Sequence, residues 1–180
     1  MSVKQKYLKD ENGEVFSPIT SESSIYTSSG NDMSIQAITI TAANDGTLTL
    51  GAAWAKVDIP LSSTLTQIGT NLSRSGNYIK IGAGIKYVEV SGNLGMWSTP
   101  DIQEAVLTIT LVRNGSEIRT ASADTSKPTE VGLLALSVSP IIWQVQSGDV
   151  IKAKFSSASS GAHRFIGRNA NTYLTVKKIG

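Results

Sequence analysis

The stretch "SSGAHRFIGRN" holds the single histidine of the chain, His163, close to Arg164 and Arg168. A general base needs a nucleophile or a proton donor within reach, and no motif around His163 supplies one. One imidazole also falls short of the paired-histidine arrays of zinc sites, and there is no cysteine to complete a structural one. His163 therefore reads as a loop residue, and neither a metal nor another cofactor is expected. Glycoside cleavage would use two carboxyl groups, whose separation is a property of the fold. The available acids have local explanations. Asp101 and Glu104 follow Pro100, Asp58 stands just before Pro60, and Asp149 lies in a Ser147-Gly148-Asp149 turn, where short polar side chains bond their own backbone. The glycines of "GAGIKYVEV" lack the strand, G-x-G-x-x-G and helix context of a phosphate cradle. No catalytic residue is assigned, and the chain is not expected to be an enzyme.

Binding chemistry is better represented. Trp97 stands in "NLGMWSTPD", bounded by Gly95 and Pro100, a setting expected to be a loop. An indole there can stack on a sugar ring or anchor a protein interface. "SSASSGAHRFIGRNANT" reads as one long polar loop, basic at its centre, in which Arg164 and Arg168 are candidates for phosphate-bearing wall polymers. Tyr87 and Trp143 occupy strand patterns and read as core or subunit-interface residues.

The whole-chain properties narrow the partners. The 180 residues carry 16 Lys and Arg against 14 Asp and Glu, a net charge of +2, with the charges scattered and forming no stripe. That argues against a nucleic-acid surface. No apolar run is long enough to cross a membrane, and "MSVKQKYLKDENG" lacks the apolar stretch of an ordinary secretory signal. Without cysteine, the fold relies on packing or oligomerisation, and a body of this size can bury enough surface to manage it.

The elements that position these residues are strands. Ser, Thr, Val, Ile and Gly are abundant, turn signals recur at short intervals, and no segment of helical length shows an i, i+3, i+4, i+7 apolar stripe. Ile38 and Ile40 share one face of a predicted strand, and Leu48, Leu50, Ala52 and Trp54 continue a period of two in "GTLTLGAAWAKVDIP". Asn114-Gly115, between "VLTITLVR" and "SEIRTAS", predicts a two-residue type I′ hairpin, and "QSGDV" a turn of similar kind. In "AVLTITLV" both alternating sets are apolar or weakly polar, the pattern of a strand covered on two sides, and "GLLALSVSPIIW" has the same habit. One face would enter a sandwich core and the other would be available to a second subunit.

The first thirty residues stand apart. "YLKDENGEVFSPIT" reads as a small hairpin turning at Asn12-Gly13, with Tyr7, Leu8, Val15 and Phe16 flanking it, and "TSESSIYTSSGND" follows with the composition of a linker or loop. A lone hairpin is marginal in water, so this segment needs support from elsewhere.

The order of pieces from about Trp54 to the end resembles the C1q/TNF-like jelly roll, in particular the heads of phage structural proteins. "LTITLVRNGSEIRTAS" resembles the family's hydrophobic strand, Asn-Gly turn and return strand, "VQSGDVIKAKF" its "GD" turn and next strand, and "TYLTVKKIG" its closing strand. "YLKDENGEVFSPI" is similar to the start of many tail, baseplate and fibre proteins of phages of Gram-positive bacteria. The resemblance implies an all-β chain, a C1q/TNF-like jelly-roll β-sandwich at 31–180 with a short N-terminal attachment segment and linker at 1–30. It implies a virion protein, made in the bacterial host cytoplasm, whose homotrimeric head contacts a host cell-surface saccharide or wall polymer. Tyr7, Leu8, Val15 and Phe16 would then attach the particle, through contacts with other virion proteins. The alternatives are a head fibre or capsid decoration protein, and, in another class, a cell-wall polysaccharide depolymerase. One departure is plain: there is no Gly-X-Y or heptad tract to form a stalk.

Overall fold

The structure is a computed structural model, and it describes residues 8–9, 15–16, 35–98, 104–125 and 132–179. The chain divides into two units, Met1–Ile35 and Gln36–Gly180. In the first, β1 (Leu8–Lys9) and β2 (Val15–Phe16) pair antiparallel, with Leu8 opposite Phe16 and Lys9 opposite Val15. Tyr7 and the predicted turn at Asn12-Gly13 lie outside the described residues.

The second unit is a sandwich of two antiparallel sheets. Its strands are β3 (Ala37–Thr41), β4 (Gly46–Leu50), β5 (Val57–Asp58), β6 (Ser63–Ile68), β7 (Leu72–Ser75), β8 (Tyr78–Ile81) and β9 (Tyr87–Ser98). They continue as β10 (Ala105–Arg113), β11 (Ser116–Thr125), β12 (Gly132–Gln144), β13 (Val150–Ser157), β14 (Gly161–Ile166) and β15 (Tyr173–Lys178). One sheet runs β11-β10-β13-β8-β7, with β5 also on β13; the other runs β4-β14-β9-β15-β3-β6, with β12 along the other edge of β9. Among the described residues there is no α-helix, only a 3-10 turn at Arg168–Ala170 between β14 and β15.

Period-2 alternation builds the core. Ile38 and Ile40 of β3, Leu174 and Val176 of β15, and Val88, Val90, Leu94 and Met96 of β9 face inward and are buried. They meet Leu107, Ile109 and Leu111 of β10, Ile151 and Phe155 of β13, and Ile79 and Ile81 of β8. Each such side chain contributes about 1.5–3 kcal/mol by leaving water, enough in sum to hold the sandwich without cross-links. The predicted hairpin joins β10 to β11, with φ of 50° at Asn114 and 81° at Gly115, the signs a type I′ turn requires.

The two-sided burial read for "AVLTITLV" is present, and its cover comes from the same sheet. Thr108 and Thr110 point away from the core, yet both are buried. Lys154 lies beside Thr108 and Glu117 beside Val112, so the Lys154–Glu117 ion pair crosses β10 diagonally over Thr110. "GLLALSVSPIIW" behaves differently: Leu136, Val138 and Trp143 enter the core, and the alternate residues of β12 are exposed.

Three local expectations are corrected. Strand β4 ends at Leu50, so Ala52 and Trp54 belong to the following loop. Trp97 lies within β9, where pairing with Leu133 of β12 overrides the loop signals of Gly95 and Pro100. His163 is a buried residue of β14, so the supposed long basic loop contains a strand. Its ring meets Phe155 edge-on at 5.1 Å, and the Ser159 carbonyl 3.1 Å from Nε2 satisfies its polar edge. Packing against Phe155 and the Ser159 carbonyl account for its burial.

Candidate binding surface

The outward face of the seven-stranded sheet gathers two of the sequence candidates, Trp97 and Arg164, and its composition follows from register. At one end Leu133 of β12 pairs with Trp97 of β9. Phe165 pairs with Met96, so the next register step places Arg164 of β14 beside Trp97, and Arg164 in turn pairs with Thr47 of β4. The centre is polar: Ser137, Asn93, Tyr173, Thr41 and Ser63 form one row across five strands. At the far end the row is Ile142, Glu89, Lys177, Ala37 and Ile68.

Hydrogen bonds order the polar centre. Ser137 Oγ donates to Asn93 Oδ1 at 2.6 Å, the Asn93 amide donates to the Asn171 carbonyl, and the Thr39 and Thr175 hydroxyls lie 2.9 Å apart. Lys177 Nζ stands 3.4 Å from Glu89 Oε1, which offsets both charges within the face. Large apolar side chains stand open at both ends. Leu133 is 73% exposed, Ile142 62%, Ile68 53% and Tyr87 46%, while Trp97 is half-buried. These open apolar side chains make the face the candidate surface for an interaction.

The sequence candidates separate on this map. Trp97 and Arg164 come together on the outward face, half-buried and exposed respectively. Arg168 sits in the 3-10 turn and is already partnered: its Nε lies 3.3 Å from Asp45 Oδ2, while Asp45 Oδ1 accepts the Gly167 and Arg168 backbone N–H groups at 3.0 and 3.2 Å. Tyr87, read as core or interface, is exposed at the start of β9, whereas Trp143 is core. Of the attachment residues, Leu8, Val15 and Phe16 fall in the paired strands β1 and β2, and Tyr7 lies outside the described residues. Leu133 and Ile142 were missed as individual residues. Their signal was present in "GLLALSVSPIIW", whose second apolar set has no place in a one-sided strand.

Three more of the described acids are held in ion pairs. Asp149 is bound to Arg113, Asp58 Oδ2 lies 3.6 Å from Lys152 Nζ, and Glu117 is held by Lys154. The Lys154 hydrogen bond is also the main reason the Glu117 carboxyl titrates below its ordinary range. Among the described residues, no group of three His, Asp or Glu side chains is placed to hold a metal ion.

No family model matches the sequence, and no curated protein does. Solved structures do. Murine APRIL at pH 5.0 superposes with a TM-score of 0.62 at 12% identity, over 81% of this chain and 99% of that one. Eiger TNF from S. frugiperda gives 0.59 at 9% identity, over 81% of this chain and 92% of that one. At these identities the likeness establishes the fold alone. The chain has the TNF-like jelly-roll fold.

Proposed function

We propose that this chain is a non-enzymatic structural and binding protein of a phage particle, a tail or baseplate component whose homotrimeric jelly-roll head contacts the host cell surface. The single observation that carries the trimer is the outward face of the seven-stranded sheet, where Leu133, Tyr87, Ile142 and Ile68 remain open to solvent at the ends of an ordered polar centre. A closed ring of three copies would cover that face in each protomer. The TNF-like fold fits such a binding head. The phage assignment is supported by the resemblance of "YLKDENGEVFSPI" to phage tail, baseplate and fibre proteins, with β1 and β2 as the segment engaging other virion proteins.

Light scattering of the full chain at micromolar concentration tests the assembly. A mass three times that of the chain is expected, and a monomer overturns the trimer. Immunogold labelling of intact particles tests the location, with gold at the tail tip expected and unlabelled particles contradicting the virion reading.

A further inference from the structure

Trp54 occupies a position where a bulky residue is unfavourable. The Ala52–Ala55 turn is closed by an Ala55 N–H bond to the Ala52 carbonyl at 3.2 Å, and Trp54, at its third position, has φ of 62°. Such a position is normally given to Gly or Asn, because a Cβ crowds the backbone there. The strained conformation is held in place by a 2.7 Å bond from Trp54 N–H to the Ser157 carbonyl at the end of β13. The indole nevertheless remains 50% exposed, so core packing does not explain why tryptophan stands there. Strain retained at an exposed aromatic points to a ligand.

The surroundings indicate the ligand's form. Gly51, Ala52 and Ala53 are exposed on the same loop, and Lys56 is exposed two residues on. Gly161 pairs with Leu50, which brings Ser160 and Gly161, both exposed, to the adjoining loop. The other large exposed apolar residues described in this unit lie on strands: Leu133, Ile141, Ile142, Tyr87, Leu65 and Ile68 in the seven-stranded sheet, and Ile118 on β11. A protein hot spot sits at the centre of a broader packed patch, and among the described residues no other large exposed apolar side chain lies on this loop. An exposed indole on a loop of small, exposed residues matches a ring with one C–H face and polar edges. A pyranose has that form.

We propose that Trp54 is the stacking platform of a saccharide site that takes a neutral pyranose of a surface glycan. The proposal rests on the reading of the chain as a surface-binding head and adds a ligand class and a location to it.

The test titrates the full chain with glucose, galactose, N-acetylglucosamine and rhamnose, read by saturation-transfer NMR and tryptophan fluorescence, beside Trp54→Gly and Trp54→Phe. At least one sugar is expected to bind, with Trp54→Gly weakening it about tenfold or more and Trp54→Phe keeping part of the affinity through its ring. Trp54→Gly is also expected to raise Tm, since glycine relieves the positive φ, so lost binding cannot be ascribed to misfolding. The site is refuted if none of these sugars binds the native chain, or if Trp54→Gly binds as tightly as the native protein. Light scattering on the same samples separates the two claims. A trimer that binds no sugar removes the site and leaves the trimeric head standing, and a monomer that binds sugar through Trp54 does the reverse.

Discussion

Arg113 and Asp149 form a two-point pair, Nε to Oδ1 at 2.9 Å and Nη2 to Oδ2 at 2.7 Å, which ties the Asn114-Gly115 turn to the Ser147-Gly148 turn. The Asp149 carboxylate is inaccessible to solvent and also accepts the Gln146 N–H at 2.9 Å. Burial by itself would raise its pKa, but the Arg113 hydrogen bond, the Gln146 N–H and the Arg113 charge together outweigh burial and lower it. An acid whose pKa is depressed on folding stabilises the fold above the ordinary carboxylate range. That contribution is lost as pH falls through the folded value, where the native state must take up the proton. Asp149→Asn is expected to cost about 1–2 kcal/mol at neutral pH and to flatten the acid limb of stability. Urea midpoints from neutral pH down through the carboxylate range check this, and an unchanged acid limb would contradict it.

Thr110 has the one buried side-chain polar atom without a hydrogen-bond partner among the described residues, a hydroxyl beneath the Lys154–Glu117 pair. Replacing it with valine keeps the branched shape and removes the unmet polar group. Thr110→Val should stabilise the fold by about 1 kcal/mol in urea unfolding. A loss of stability would mean that the hydroxyl is satisfied in solution.

Gly167 links β14 to the 3-10 turn against the backbone of the β3–β4 loop. A Cβ there would lie 2.1 Å from the Asn44 carbonyl oxygen, a main-chain atom that cannot rotate away. Gly167→Ala is expected to destabilise by about 2–3 kcal/mol, and to weaken the Asp45 bonds to the Gly167 and Arg168 N–H groups. Calorimetry gives the size, and a Tm equal to that of the native protein would show that the loop yields.

Leu133 and Ile142 are exposed in the single chain, so charging them has little effect on the protomer itself. The double substitution Leu133→Arg with Ile142→Glu is expected to leave the circular dichroism spectrum intact and convert trimer to monomer. Persistence of the trimer would move the interface to another face.

Removal of Met1 to Ser29 tests the independence of the amino-terminal segment. The truncated chain should keep the Tm and oligomeric state of the full one and fail to join particles: among the described residues the buried hydrophobic core runs from Ile38 to Val176. Unfolding of the remainder would show that a core strand had been removed.

Much of the fold was legible because its causes are local. Period-2 alternation identified Ile38 and Ile40 as one buried face, and Asn114-Gly115 announced its hairpin because both residues tolerate positive φ. The binding surface was less legible. Gly95 and Pro100 suggested a loop around Trp97, but β12 runs along β9 from Gln144 to Gly132 and holds Trp97 in a strand. The polar composition around His163 hid a strand whose inward residue packs on Phe155.

What the sequence by itself determined was therefore the all-β class, the Asn114-Gly115 hairpin and the inward face of strands such as β3 and β10, since side-chain periodicity and turn stereochemistry act over a few residues. Only the tertiary structure decided which residues share the outward face, that Arg164 stands beside Trp97 while Arg168 is paired with Asp45, and that Trp54 is exposed on a strained turn. Those relationships join positions far apart in the chain, and they depend on strand order and register, which the packing of two sheets selects.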